Sequence, residues 1–487
     1  MTDRVPVIAG VAQLANKDDE RIVHPVELIE QTARAALDDA GISVDRVGAV
    51  LATPLTIFGT ENAAELVAAQ LGLGAASLVE SGYSGASPQQ LLTTACDAVA
   101  AGELDAALVV GGIADASVRR ARRRGLEPPA PPTALWSQGS DGVRGIRVRP
   151  PAWQGKAPET AAGTGMPAAF FALIDSAIGA GMDPAAHRTR LGELLAPFTE
   201  VASRRPDVAW FPEVRDAESI ATVRDDNRLV AEPYTKLMCS FPTVDLAAAV
   251  VVTAARPGRD RDVRPLSLVS AKEARPPSGR PEIGRSRALE RAAHEALRLA
   301  ATDVSAIDLF DFYSCFPAAV QLASAAFGLR DDDPRQRTVA GGLPYFGGPG
   351  ASYSLHAIVS LVEELRARPD ALGAIVGLGG MANDFSVGVY GGADVPYSTA
   401  ALGELEDGAV ELRDVATGPA TVDAMTVLHD RDRGPVAAPV VARLADGSRV
   451  GAQAADPELP PALSGTTLVG REVILATVDG KTVYALP

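Results

Sequence analysis

Three cysteines, five histidines and one dense run of arginines set the range of chemistry open to this 487-residue chain. Cys96, Cys239 and Cys315 are odd in number, far apart and without C-x-x-C spacing, which supports neither a disulfide framework nor a zinc site. No metal site is expected, and each thiol stands alone. Around one of them the sequence reads Tyr313-Ser314-Cys315-Phe316. A thiol there becomes a nucleophile only if its pKa is lowered, and no basic residue is adjacent in sequence. Arg119, Arg120, Arg122, Arg123 and Arg124 fill five of six positions, followed past a proline-rich stretch by Arg144, Arg147, Arg149 and Lys156. Such a cluster is either a solvated helix end and loop or an anion site for a polyphosphate ligand.

The remaining composition narrows the setting. With 47% hydrophobic and 22% charged residues the chain is globular rather than disordered. A formal charge of −16 repels phosphate backbones over most of the surface and argues against general nucleic-acid binding. The longest apolar stretch near the middle, Leu246 to Ala255, is half of the ~20 residues a membrane span requires. No membrane insertion is expected. The N-terminus lacks an apolar signal core, so a cytoplasmic location is expected as well.

Elements that could position these residues alternate along the first 115 positions. Val5 to Val11 reads as a strand, and Pro25 opens a helix whose apolar residues Val26, Ile29, Ala33, Ala36, Leu37 and Ala40 keep 3.6 spacing until Gly41. Val47 to Leu51 is a second strand. Ser87, as an N-cap before Pro88, opens a helix running to Gly102, and Ala106 to Val110 is a buried strand ending in Gly111-Gly112. This alternation implies a parallel or mixed sheet covered by helices on both faces.

The unit occurs twice. A shift of 260 residues places Ala33 on Ala293, Ala36 on Ala296, Leu37 on Leu297, Ala40 on Ala300 and Val47 on Ile307. A similar shift lays Gly85-Ala86-Ser87 on Gly350-Ala351-Ser352, each ahead of a long amphipathic helix. The expected organisation is an α/β half over 1–270, with an insertion at about 116–242, a second half over 271–398, and a small β domain over 405–487. The last is marked by short alternating strands and by the turns Asp446-Gly447 and Asp479-Gly480.

Several stretches, in this order and at this spacing, resemble the thiolase superfamily over roughly residues 3–395. They are Pro233-Tyr234-Thr235-Lys236 leading to Val244 through Ala249, Asp311 through Phe316, Gly347-Gly348-Pro349, and Gly379-Gly380-Met381. The chain resembles thiolase-like proteins type 1, which are similar to the sterol-carrier-protein thiolases, are grouped with acetyl-CoA acetyltransferases, and carry an extra C-terminal β domain similar to an OB-type barrel. The resemblance implies a thiolase fold, two tandem βαβαβαββ halves in α/β/α/β/α layers, with a loop-domain insertion and a C-terminal barrel. It also implies CoA or acyl-CoA as ligand, a place in lipid metabolism, and no further cofactor.

Thiolase chemistry places a cysteine at the first helix-opening turn, a histidine at the second and a second cysteine before the late glycine pair. At those positions this sequence has Gly82, Gly348 and Gly377. Loss of such coupled groups removes about 10⁴–10⁶ in rate for even one of them. The emptied positions are expected to widen the pocket near the reacting carbon. His356, beyond the second turn, reads as a packed helix residue with one satisfied hydrogen bond, Cys96 as an apolar core residue, Cys239 as structural and His429 as a turn residue.

The first expectation is therefore a CoA-binding or acyl-CoA-binding protein, with Arg119, Arg120, Arg122, Arg123 and Arg124 meeting the CoA phosphates. The alternative is an acyltransferase acting through Cys315, Tyr313 and Ser314, with Cys315 as displaced nucleophile and Tyr313 as hydrogen-bond donor. A third places the function in the C-terminal domain. Its acidic composition and single aromatic residue, Tyr484, argue against nucleic acid and leave docking of a protein partner or covering of the cleft. Whether the chain forms a homo-oligomer is left open.

Overall fold

The structure, a computed structural model, describes residues 4–55, 62–74, 76–129, 157–406 and 408–487, and the backbone of 143–146. The first half runs β1 (Pro6–Ala15), α1 (Pro25–Ala40), β2 (Ala49–Ala52), α2 (Ala63–Leu71), β3 (Ser77–Ser81), α3 (Ser87–Ala100) and β4 (Ala106–Ala114). Both α1 boundaries follow local chemistry. His24 accepts from Val26 N and completes a capping box with Glu27, Pro25 stands in the first turn, and Gly41 closes the helix at φ 61°. At α3 the expected cap is replaced. Ala86 holds the N-cap position, and the Ser87 hydroxyl donates to Gly82 O at 3.0 Å. β4 continues through Gly111 and Gly112 because its neighbour pairs along its whole length.

The insertion contributes α4 (Asp115–Arg123), β5 (Val143–Ile146), α5 (Pro158–Ala161), α6 (Pro167–Ile178), α7 (Pro184–Ser203), α8 (Ala217–Ala221), β6 (Leu229–Ala231) and β7 (Tyr234–Thr235). β8 (Asp245–Ala254) then returns to the first sheet. The second half comprises β9 (Arg264–Glu273), α9 (Arg287–Leu299), β10 (Leu309–Phe312), α10 (Pro317–Ala326), α11 (Tyr353–Ala367), β11 (Leu372–Gly379), β12 (Asp384–Gly391) and β13 (Ser398–Leu405).

Sheet topology demonstrates the duplication. The first sheet is ordered β1-β8-β4-β2-β3-β5 and the second β10-β11-β12-β9-β13. Read from β9, the second sheet repeats β1-β8-β4-β2 as β9-β12-β11-β10, with the same two antiparallel pairings followed by a parallel one. α3 and α11 lie between the sheets and touch both, while α1 and α9 cover the outer faces. The five layers of a thiolase-like fold result. Alanines at 33, 36, 293 and 296 are fully buried where α1 and α9 meet their sheets.

Behind this body β14 (Gly418–Met425), β15 (Leu428–Asp430), β16 (Gly434–Ala437), β17 (Val440–Arg443), β18 (Arg449–Ala454), α12 (Leu459–Leu463), β19 (Glu472–Val478) and β20 (Lys481–Ala485) complete the chain. β14, β17, β18, β20 and β19 close into a five-stranded barrel with its own apolar core, including Val422, Val440, Val450, Val473 and Tyr484. The barrel is anchored rather than tethered. β15 pairs with β6, and Leu173 of α6 and Ile283 pack on Ala424 and Val441. Gln453 donates to Ala162 O, and Arg449 donates to the carbonyls of Ser278, Arg280 and Pro281. His429 lies within β15, not in a turn, because its ring bonds Glu232 of the insertion at 2.8 Å. Among the described residues no helix is long and apolar enough to cross a membrane.

Candidate functional site

Four loops meet where the layers expose the ends of β3, β10 and β11. The first elbow, Gly82 to Ala86, leads into α3. The Ser84 hydroxyl donates to Asp384 Oδ2 at 2.6 Å and accepts from Ala86 N at 3.2 Å. The elbow is thus held to the second half, and Ser354 Oγ bonds Gly85 O at 2.6 Å in the same sense. Tyr83 projects to the surface, 44% exposed, and burial of the rest of its ring pushes the phenol up to about 12. The second elbow, Gly347 to Ser352, leads into α11 through a turn in which Gly347 has φ 116° and Gly350 φ 59°. Gly348 N bonds Phe241 O at 2.8 Å.

Two of the three glycine positions, Gly348 and Gly377, are occupied by neighbouring atoms. A Cβ on Gly348 would overlap Ser240 Oγ and lie 3.3 Å from Phe241 O. On Gly377 it would overlap Ser386 Oγ and stand 2.9 Å from Gly85 O and 3.0 Å from Ala86 Cα. On Gly85 it would overlap the Tyr313 ring and Leu378 O. The expected widening of the pocket is therefore not what the structure shows at Gly348 and Gly377. Neighbouring hydroxyls and backbone occupy the space, as expected of a close-packed interior.

The Tyr313–Phe316 loop is fixed by its surroundings. Tyr313 N bonds Val376 O at 3.0 Å, and the ring packs edge-on against Tyr353 with centroids 5.7 Å apart. Ser314 is buried and its hydroxyl accepts from Leu343 N at 3.1 Å. Phe316 stacks on Phe171 and Tyr234. Burial raises the Cys315 thiol well above the usual range, only partly offset by backbone N–H groups of Cys315 and Phe316. Cys239 is likewise pushed up to about 12 by burial, and Cys96 lies fully inside the core. His356 is buried with Nδ1 3.0 Å from Gln13 Oε1, and desolvation lowers it to about 3, so its ring is neutral. That matches the packed histidine expected from the sequence.

The arginine cluster divides. Arg120 is 3% exposed and pairs with Asp245 at 2.6 Å, so it has no surface to offer a phosphate, a correction to its expected role. Arg124 is tied to Glu20 at 3.0 Å and Asp19 O at 2.7 Å. Arg119, Arg122 and Arg123 are exposed on α4, a helix that begins next to Tyr83 of the first elbow. The Arg144 side chain, Arg147, Arg149 and Lys156 lie outside the described residues.

Three buried carboxylates shape the site and were not singled out from sequence. Asp245 receives Arg120, Ser117 N and Oγ, and Asn16 Nδ2. Asp384 binds Ser84 and Gln90, and burial raises its pKa. Asp311 accepts from Thr338 Oγ1, Val339 N and Ala340 N, yet desolvation still lifts it to about 6. The available signal was an acid inside an otherwise apolar strand, as in Val244-Asp245-Leu246 and Phe310-Asp311-Phe312.

Two related α/β halves that meet at paired helix-opening elbows, with a closed barrel behind them, define a thiolase-like fold. Residues 405–481 match the family described as thiolase-like protein type 1 additional C-terminal domain. Over 100% of both chains the structure is similar to a monomeric SCP2-thiolase like protein type 1 from Mycobacterium smegmatis, with TM-score 0.81 and 28% identity. Over 80% of this chain the fold also matches the acetyl-CoA acetyltransferase of Syntrophomonas wolfei, TM-score 0.56, 15% identity and 99% of that chain. The dimeric peroxisomal thiolase of Saccharomyces cerevisiae is similar over the same share, TM-score 0.58, 12% identity and 98% of that chain. No curated protein sequence matches the chain.

Proposed function

We propose that this thiolase-like protein binds CoA or acyl-CoA without carrying out Claisen condensation or thiolysis. The observation that carries the reading is the closure of two of the three glycine positions, Gly348 and Gly377. Where the chemistry calls for a histidine and a second cysteine, Ser240 Oγ and the backbone of the first elbow fill the space at Gly348 and Gly377. Cys315 does not replace the missing nucleophile, because burial favours its neutral thiol over the thiolate the reaction needs. Exposed Arg119, Arg122 and Arg123 on α4 supply cationic groups for the nucleotide phosphates next to the first elbow.

Calorimetric titration with CoA tests this reading. Binding is expected, and replacing Arg119, Arg122 and Arg123 together by alanine should weaken it by roughly tenfold or more, since exposed charge pairs contribute up to ~1 kcal/mol each. Unchanged affinity in the triple variant would remove α4 from the ligand site.

A further inference from the structure

Arg449 of β18 carries a contact between the C-terminal barrel and the body that is both buried and polar. It is 6% exposed, and its Nε donates to Asp423 Oδ2 of the barrel at 2.7 Å. Its terminal nitrogens leave the barrel for three carbonyls of the loop between β9 and α9, Ser278 at 3.0 Å, Arg280 at 2.6 Å and Pro281 at 3.2 Å. Ser278 is also fixed from a third side. Its N–H and hydroxyl donate to the two carboxylate oxygens of buried Glu159, on α5 of the insertion, at 2.9 and 2.6 Å. α5 in turn lies directly on β18, where a Cβ on Gly451 would overlap Pro158 O. Barrel, insertion and second half therefore meet on one short loop.

That loop reaches onward through Arg280. Its buried guanidinium donates to Ala382 O at 2.7 Å and to Arg275 O and Arg285 O at 3.4 Å. Ala382 is fully buried with φ 52°, a left-handed conformation that costs a residue with a Cβ and persists only where its surroundings hold it. The turn continues through Asn383, whose Oδ1 accepts from Met381 N at 2.9 Å and whose carbonyl accepts from Glu273 N at 2.8 Å. It ends on Asp384, which receives the Ser84 hydroxyl at 2.6 Å, while Ser84 Oγ accepts from Ala86 N at 3.2 Å at the opening of α3. Arg449, Arg280, Asp384 and Ser84 are all buried, so a shift that breaks one of these bonds leaves a desolvated donor or acceptor unpaired. The second elbow is held differently, by Phe241 O on Gly348 N at 2.8 Å.

We infer that the C-terminal barrel is a positioning domain for the first elbow: Arg449 sets the loop at Ser278–Pro281, Arg280 holds Ala382 left-handed, and the turn so fixed presents Asp384 to Ser84. The placement of the barrel is thereby felt at one elbow and not at the other. No ligand enters this coupling, so it stands apart from the CoA reading. Hydrogen exchange on the full, ligand-free chain, followed by mass spectrometry, tests it. A lysine keeps the charge but loses the guanidinium fork. Arg449→Lys should speed exchange at Ala86 N about tenfold or more and leave Gly348 N within about twofold of wild type. Adding Ala382→Gly, which removes the cost of the left-handed turn, should restore most of the protection at Ala86. A role of Arg449 in barrel docking alone would not respond to that second change. If Arg449→Lys does not fold, Arg280→Lys, one step nearer the elbow, is read in the same way. Unchanged exchange at Ala86, equal acceleration at both elbows, or no recovery with Ala382→Gly would each overturn the assignment.

Discussion

The two elbows occupy equivalent places in the duplicated halves and are closed by different neighbours. The first is tied to the other half of the molecule, through Ser84 to Asp384 and Gly85 O to Ser354. The second is closed by the last segment of the insertion, with Ser240 Oγ filling the space at Gly348 and Phe241 O holding its N–H. A duplicated backbone decides where a side chain would point. Whether room exists for it is decided by segments that were never part of the repeat.

That contrast can be broken by adding side chains back. The largest effect is expected for Gly377→Cys, whose Cβ meets the backbone of the first elbow at Gly85 O and Ala86 Cα in addition to Ser386 Oγ. Backbone cannot rotate away, and overpacking of this kind should cost about 3 kcal/mol in denaturant unfolding. A loss under about 1 kcal/mol would show that the elbow yields easily. Gly348→Ala meets chiefly one hydroxyl and should cost about 1 kcal/mol, most of it recovered in the double variant with Ser240→Gly. Additive losses in the double variant would mean that Ser240 is not what fills this position.

A pH effect comes from the helix behind the second elbow. His356 has its pKa lowered from 6.5 to about 3 by burial, so the unfolded chain takes up this proton first as pH falls. Stability from this group is complete above about pH 6.5 and is lost toward pH 3, by roughly 1.4 kcal/mol per pH unit. Asp311, raised from 3.8 to about 6, works with the opposite sign, since its folded form holds the proton and gains as pH drops through that window. Between pH 6 and 4 the two contributions nearly cancel, and in the His356→Gln variant the Asp311 gain should stand alone, so that stability rises as pH falls through this window. An unchanged unfolding profile would mean that His356 titrates normally.

Much of the fold could be read along the chain because it rests on local periodicity. The 3.6 spacing of Ala33, Ala36 and Leu37 and its recurrence at Ala293, Ala296 and Leu297 marked both outer helices and, with them, the two halves. His356 was legible for the same reason, as one member of an apolar helix. Much of what escaped was set by contacts that no local period announces, several of them between residues more than 100 positions apart. Arg120 resembles its exposed neighbours in sequence, and only the fold brings it to Asp245. His429 looked like a turn residue because Glu232, its partner, belongs to the insertion. Ser87 had the sequence of an N-cap, but the Gly82 carbonyl took its hydroxyl. The glycines suggested vacancy, and the atoms that fill them come from Ser240, Ser386 and the opposite elbow.

The central claim, an acyl-CoA binder of thiolase-like fold without thiolase chemistry, is tested most directly by incubating the protein with acetoacetyl-CoA and CoA, then recording native and intact mass spectra. The account predicts bound acetoacetyl-CoA or CoA, no acetyl-CoA formed and no acyl adduct on Cys315. Acetyl-CoA accumulation, or an acyl adduct that disappears in Cys315→Ala, would contradict it.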